Sequence, residues 1–224
     1  MLKESLFQHQ WLDKLINENF NYKEYEIMRQ KGAIIFTFFA LLAFVLVPTV
    51  SQASDFAIGT TLDNFSLPDT AGKTLSFNDL KGKNGTVVVF LSAQCPVVKG
   101  YNGRLGQIAA DYEAKGITFI GINSNATESL DWVKANAAEN YKFPVLIDKS
   151  NVVADKLGAT VTPEAYYFDA KNVLRYHGAI DNDRSGKTIT ENYLRAAFDA
   201  SLSGKAIEKT RANAFGCSIK RVGE

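Results

Sequence analysis

Two thiols stand out in a chain of 224 residues: Cys95, in Ser92-Ala93-Gln94-Cys95-Pro96, and Cys217, in Phe215-Gly216-Cys217-Ser218-Ile219. Cys95 follows the β-branched apolar run Thr86-Val87-Val88-Val89-Phe90-Leu91. It opens a stretch whose apolar residues recur at helical spacing: Leu105, Ile108, Ala109 and Tyr112. A thiol at a helix start faces the positive end of the helix dipole and unpaired backbone N–H groups. Both favour the thiolate, the form that attacks disulfides and peroxides. Pro96 suits the first helical position, where its missing N–H would have no partner. Lys99, one turn on, brings a positive charge to the same face. An isolated cysteine in an apolar chain is often inert filler, but a place between strand end and helix start favours a reactive one.

Other chemistries fit the composition poorly. Two cysteines are too few for a disulfide scaffold or a four-cysteine zinc site. The only histidines, His9 and His177, are far apart in sequence, and no Cys-x-x-Cys-His run exists for haem attachment. No metal or organic cofactor is called for. Twenty-five Lys+Arg against 24 Asp+Glu leave a net charge of +1, which argues against a general basic field for nucleic acid.

The elements that must position Cys95 read as an α/β layer fold. Strands are expected over 86–91 and 117–122, with helices over 97–115 and 129–140. A short strand at 143–147 lies near an edge, because Pro144 cannot donate to a ladder. A short helix at 151–157 is closed by Gly158, a hairpin joins 165–168 to 173–176, and a last helix covers 189–202. Two parallel strands joined by a helix place their C-terminal ends at one sheet edge, the usual place for sites in α/β folds. That edge gathers Ser92, Gln94 and Cys95 with Asn123-Ser124-Asn125; the polar trio reads equally well as a solvated loop. Thr162-Pro163-Glu164 reaches the same edge only if the strand it enters runs antiparallel.

Ahead of this domain, residues 33–47 are apolar throughout and follow Arg29 and Lys31. As a helix the run would span roughly 22 Å, short of the ~30 Å hydrocarbon core. Ser51-Gln52-Ala53 supplies small residues where a signal peptidase cuts. The expectation is export, through a cleaved signal or else an uncleaved anchor over 33–50, with 1–53 as polar segment plus signal or anchor and 54–224 as the folded domain. The polar stretch before Arg29 is long for a signal, and Met28 would start one of ordinary proportions. Outside the cytoplasm, most simply in a periplasm, a disulfide can persist.

Phe65-Ser66-Leu67, Asp69-Thr70-Ala71-Gly72-Lys73, the strand into Ser92-Ala93-Gln94-Cys95-Pro96, and Val161-Thr162-Pro163-Glu164 together resemble the thioredoxin-like redoxin superfamily. The branch is that of the alkyl hydroperoxide reductase/thiol-specific antioxidant proteins, including exported members. The likeness runs from about residue 58 to 219. It implies a thioredoxin fold: a central mixed β-sheet flanked by helices, with an N-terminal β extension. It also implies Cys95 as attacking thiol and a cis Pro163 that presents the Thr162 backbone to an incoming disulfide or peptide. Glu164 would then be a nearby proton carrier or a residue of the rim. Two departures stand out. Val98 occupies the place of a thioredoxin's second cysteine, and Val88 that of the proline in a peroxiredoxin motif, although Ser92 keeps the hydroxyl. Cys217 resembles a cysteine near the C-terminus of related exported redoxins and offers a resolving thiol.

Three functions follow. The first is an exported thiol oxidoreductase in which Cys95 attacks a protein disulfide or a peroxide, resolved by Cys217 or by a thiol electron donor. The second keeps the fold without catalysis, as a binding module with a structural Cys95–Cys217 bond. A two-thiol metal carrier is the third.

Overall fold

The computed structural model describes residues 56–223. The apolar run at 33–47, and with it the signal-or-anchor reading, lies outside the described residues. Among those described, no helix is long and apolar enough to cross a membrane.

A small β extension comes first: β1 (Ser66–Pro68) pairs antiparallel with β2 (Thr74–Ser76). The turn between them is closed by Asp69, whose carboxylate accepts from the N–H groups of Ala71 and Lys73 at 2.8 and 2.9 Å. Ser76 then caps the short helix α1 (Phe77–Leu80) in a reciprocal box with Asp79. The principal sheet is built on β3 (Gly85–Phe90), every residue of which is buried. Its near-continuous apolar sequence is what a strand covered on both faces requires.

β3 pairs parallel with β4 (Ile117–Asn123), and β4 pairs parallel with β5 (Val145–Ile147). On the other side β7 (Glu164–Asp169) runs antiparallel to β3, then β8 (Leu174–Gly178) antiparallel to β7 and β9 (Arg211–Ala212) parallel to β8. The order is therefore β5-β4-β3-β7-β8-β9, a mixed sheet of six strands. A separate pair is formed by β6 (Val161–Thr162) and β10 (Cys217–Ser218).

Strand alternation sorts the core into two layers. Val87, Val89 and Tyr167 face one way, against Tyr101, Leu105, Ile108 and Tyr112 of α2 (Pro96–Glu113). Val133 of α3 (Leu130–Asn140) and Phe198 of α5 (Tyr193–Leu202) join the same layer. Val88, Phe90 and Tyr166 face the other way, against Phe77, Leu62 and α4 (Val152–Leu157). The expected helices, hairpin and edge strand are all present, with β5 at the end of the sheet beyond Pro144. The last helix starts at Tyr193 rather than near 189, because Asn182 holds the approach to it. Its side-chain oxygen accepts from the N–H groups of Thr190 and Glu191, both at 3.0 Å. β6, β9 and β10, each two residues long, carry no periodicity that a sequence reading can use.

Candidate functional site

The two thiols, 122 residues apart in sequence, meet. Cys95 Sγ lies 2.6 Å from Cys217 Sγ and 3.4 Å from the carbonyl oxygen of Thr162. Cys95 is the N-cap of α2 with Pro96 in its first turn, as the strand-then-helix pattern requires. Thr162 is brought opposite by β7, which runs antiparallel to β3, and the Thr162–Pro163 peptide bond is cis. Cys217 arrives on β10, where it is the register partner of Thr162. Phe215 anchors the approach by packing against Tyr101, ring centroids 6.4 Å apart. Gly216 is required for closeness rather than for a bend: a Cβ there would stand 1.9 Å from the Thr162 carbonyl oxygen.

Cys95 is 2% exposed, whereas Cys217 is half-buried. Burial opposes ionisation of Cys95. The Cys217 thiol, the backbone N–H groups of Val98 and Cys217, and the Thr162 side chain outweigh it and hold its pKa below that of an ordinary thiol. Burial, reinforced by Cys95 beside it, pushes Cys217 the other way, up to about 11. The pair is thus divided into a more acidic thiol, Cys95, and a less acidic one, Cys217, beside it. Lys99 is exposed and lines an open depression with Gln94 and Trp132. With the Val98 N–H and the Cys217 thiol favouring its anion, alkylation of Cys95 should rise with pH through a midpoint below that of free cysteine. Iodoacetamide labelling of Cys217→Ser against pH, with the Cys95 peptide followed by mass, measures the inherited part; loss of the Cys217 contact should move that midpoint upward from the wild type's.

The loop that presents Cys95 is held from beneath by a residue the sequence reading passed over. Glu128, 3% exposed, accepts from Ser92 Oγ at 2.5 Å, from the Ala93 N–H at 3.0 Å and from the Gln94 N–H at 2.9 Å. Asn123 Nδ2 donates to the same carboxylate at 2.6 Å. Ser92 Oγ in turn accepts from the Cys95 N–H at 3.0 Å. Ser92 and Asn123 are therefore supports of the loop, and only Gln94 of this set is exposed.

The Asn123-Ser124-Asn125 trio is buried, not a solvated loop. Ser124 Oγ donates at 2.8 Å to Asp148, which caps α4 through the N–H groups of Val153 and Ala154. Asn125 Oδ1 accepts from the Lys220 N–H at 3.0 Å, and the Ala126 N–H donates to the Lys220 carbonyl at 2.8 Å. One loop, 123–128, consequently grips both cysteine-bearing segments. A carboxylate just ahead of the helix cap Ser129, in the connection that follows an interior strand, was the only signal for Glu128.

Glu164 does not face the thiols. It shares a strand face with Tyr166, whose hydroxyl donates to it at 3.3 Å, while Cys95 packs with the layer of Ala165 and Tyr167. Its carboxylate accepts from the N–H groups of Thr160 and Val161 at 2.8 and 3.2 Å and lies 2.6 Å from His177 Nε2. Expected as a proton carrier or a residue of the rim, Glu164 is instead buried and braces the turn before Pro163, because strand alternation carries it to the far side of the sheet.

A central mixed sheet with a cysteine at a helix start opposite a cis-proline defines a thioredoxin-fold protein, and solved thioredoxin-like structures share the fold. Residues 58–177 match the AhpC/TSA family, and the chain belongs to it. The thiol-disulfide oxidoreductase ResA of Bacillus thuringiensis is 29% identical over 114 residues, 50% of this chain and 64% of the relative's length. The thiol:disulfide interchange protein DsbE of Pseudomonas fluorescens is 32% identical over 129 residues, 55% of this chain and 68% of its own. A solved structure of a hypothetical protein from Sinorhizobium meliloti is 35% identical, covers 76% of this chain and 98% of its own, and superposes with a TM-score of 0.70.

Proposed function

We propose that this chain is a thiol–disulfide oxidoreductase whose working unit is the Cys95/Cys217 pair. The observation that carries the reading is the 2.6 Å approach of the two sulfurs across the β6–β10 pairing. Cys95 thiolate attacks one sulfur of a substrate disulfide, forming a mixed disulfide and releasing one substrate thiolate. Cys217, after losing its proton to water, attacks the Cys95 sulfur, closes the Cys95–Cys217 bond and releases the second thiolate. An external dithiol returns the pair to the reduced state. The downward shift of the Cys95 pKa favours an exchanging pair over a purely structural bond, since a more acidic thiol is also a better leaving group.

Disulfide exchange accounts for the surroundings of Cys95 better than peroxide reduction. A hydroperoxide needs donors to polarise its oxygens as the O–O bond breaks, and the Ser92 hydroxyl and the Ala93 and Gln94 N–H groups are all engaged by Glu128. Disulfide exchange asks only for a thiolate and a leaving thiolate. Export, expected from 33–47, would supply a compartment in which both redox states persist.

Mild oxidation of the reduced protein followed by non-reducing peptide mapping tests the pair. A Cys95–Cys217 cross-linked peptide in near-stoichiometric yield is expected, and it should vanish in Cys217→Ala. Oxidation that yields only intermolecular bonds would overturn the reading.

A further inference from the structure

The backbone edge nearest the Cys95 sulfur belongs to Thr162, whose carbonyl oxygen is 3.4 Å away. Extended polypeptides are commonly captured by adding a strand to such an edge, which supplies main-chain hydrogen bonds and delivers a side chain to the site. Here that place is filled by the chain itself. β10 runs antiparallel to β6, Cys217 opposite Thr162 and Ser218 opposite Val161. Cys217 thus stands where the cysteine of an added strand would stand.

The occupant is firmly seated. The Ile219 N–H donates to the Thr160 carbonyl at 2.9 Å, and the Ile219 side chain is 2% exposed in the layer of Phe90 and Tyr166. Lys220 is held through both N–H and C=O by Asn125 and Ala126. The Val222 N–H donates to Asn151 Oδ1 at 3.0 Å. Arg221 reaches Asp155 at 2.9 Å and the Ala159 carbonyl at 2.8 Å. On the near side, Phe215 lies in the opposite core layer. A competing peptide strand would have to displace all of these contacts, whereas a molecule of a few atoms across needs only to reach the sulfur.

We propose that β10 is a built-in occupant of the strand-pairing edge beside Cys95, which makes low-molecular-weight disulfides the substrates of the seated site and excludes extended polypeptide disulfides. The proposal rests on the thiol-exchange reading for its chemistry. In the seated protein, Cys95 thiolate attacks a small disulfide RSSR, giving Cys95–S–SR and RS⁻. Cys217 then displaces the second RS⁻, so that one RSSR is reduced to two thiols as the Cys95–Cys217 bond forms.

Single-thiol proteins separate this from the redox cycle. Cys217→Ser leaves Cys95 as the only cysteine. It is treated with the pyridyl mixed disulfide of N-acetylcysteine amide, or with a ten-residue extended peptide carrying the same pyridyl disulfide on its cysteine. Both are attacked at the same kind of cysteine disulfide and release the same chromophore, so the size of the reagent under attack is what differs. In Cys217→Ser the small reagent should react at least about tenfold faster than the peptide, the difference that about 1.4 kcal/mol of obstruction produces. Adding Gly216→Ala, whose Cβ cannot fit against Thr162, should unseat β10 and narrow that ratio to a few-fold. If the combined variant loses its native circular dichroism, Asn125→Ala, which frees Lys220, puts the same question. Equal rates for the two reagents in Cys217→Ser, or a ratio unmoved once β10 is released, would overturn the proposal. Neither result depends on a Cys95–Cys217 bond. Failure of the exchange reading shows separately, as absence of that cross-link in the oxidised wild type.

Discussion

Replacing Glu128 by alanine is expected to destabilise the protein by about 3 kcal/mol or more and to lower its midpoint of thermal unfolding by roughly 6–12 °C. The carboxylate serves Ser92 Oγ, the N–H groups of Ala93 and Gln94, and Asn123 Nδ2, all in or beside the loop that ends at Cys95. Alanine leaves each donor without that acceptor at a site 3% exposed. Buried donors deprived of a charged partner are among the costliest single losses a fold can suffer. Glu128→Gln keeps the shape and one acceptor but sets an NH₂ group against backbone donors, so it should fall between wild type and alanine. A purely structural brace would alter stability alone. Because the Cys95 N–H rests on Ser92, the alkylation midpoint of Cys95 should also move in Glu128→Ala. Denaturant titration and a pH series of alkylation rates read the two effects separately. A variant unchanged in both would show that the carboxylate does not hold the loop.

The second large effect is chemical. Cys95→Ser should lose all exchange with glutathione disulfide, since a serine hydroxyl has no accessible anion at neutral pH, and no intramolecular cross-link can form. Its stability should fall by about 1 kcal/mol, not zero, because the side chain is packed in the core layer with Val98 and Ala165. Cys217→Ser should behave differently: Cys95 still attacks but accumulates as a mixed disulfide with glutathione, seen as an added mass on the Cys95 peptide. Retention of exchange in Cys95→Ser, measured as glutathione released per protein, would remove Cys95 from the chemistry.

Much of the frame was legible because it rests on patterns with a physical period. The β-branched run from Thr86 to Leu91 read as a strand covered on both faces, and the placement of Cys95 after it followed. The antiparallel entry at Thr162 was legible only as the condition for reaching that sheet edge, and the cis bond followed from the resemblance. The supports were not legible. Asn123, Asn125 and Glu128 are polar residues in a connection between β4 and α3, and composition there speaks for solvent. What buries them is the arrival of segments from positions 92–95 and 217–222, which no local window contains. Glu164 misled for the opposite reason. Its neighbour Pro163 belongs at the thiols, but a strand turns successive side chains to opposite faces, and one residue is enough to send a carboxylate across the sheet.

The separation of 122 residues between Cys95 and Cys217 bears on how the molecule acquires its fold. Bringing together ends so distant costs loop-closure entropy that nearby contacts do not repay, so such a contact belongs among the late events of folding. β3, α2 and β4 are sequence neighbours and can associate early. Until the C-terminal segment is in place, Cys95 stands without Cys217 beside it and without β10 over the adjacent edge, open to cross-linking with other chains. Docking of Phe215 on one core layer and Ile219 on the other ends that exposure. Arrival of the last strand therefore marks the boundary between a promiscuous nascent thiol and a selective mature one, and oxidant present during refolding should trap intermolecular dimers only before that strand arrives.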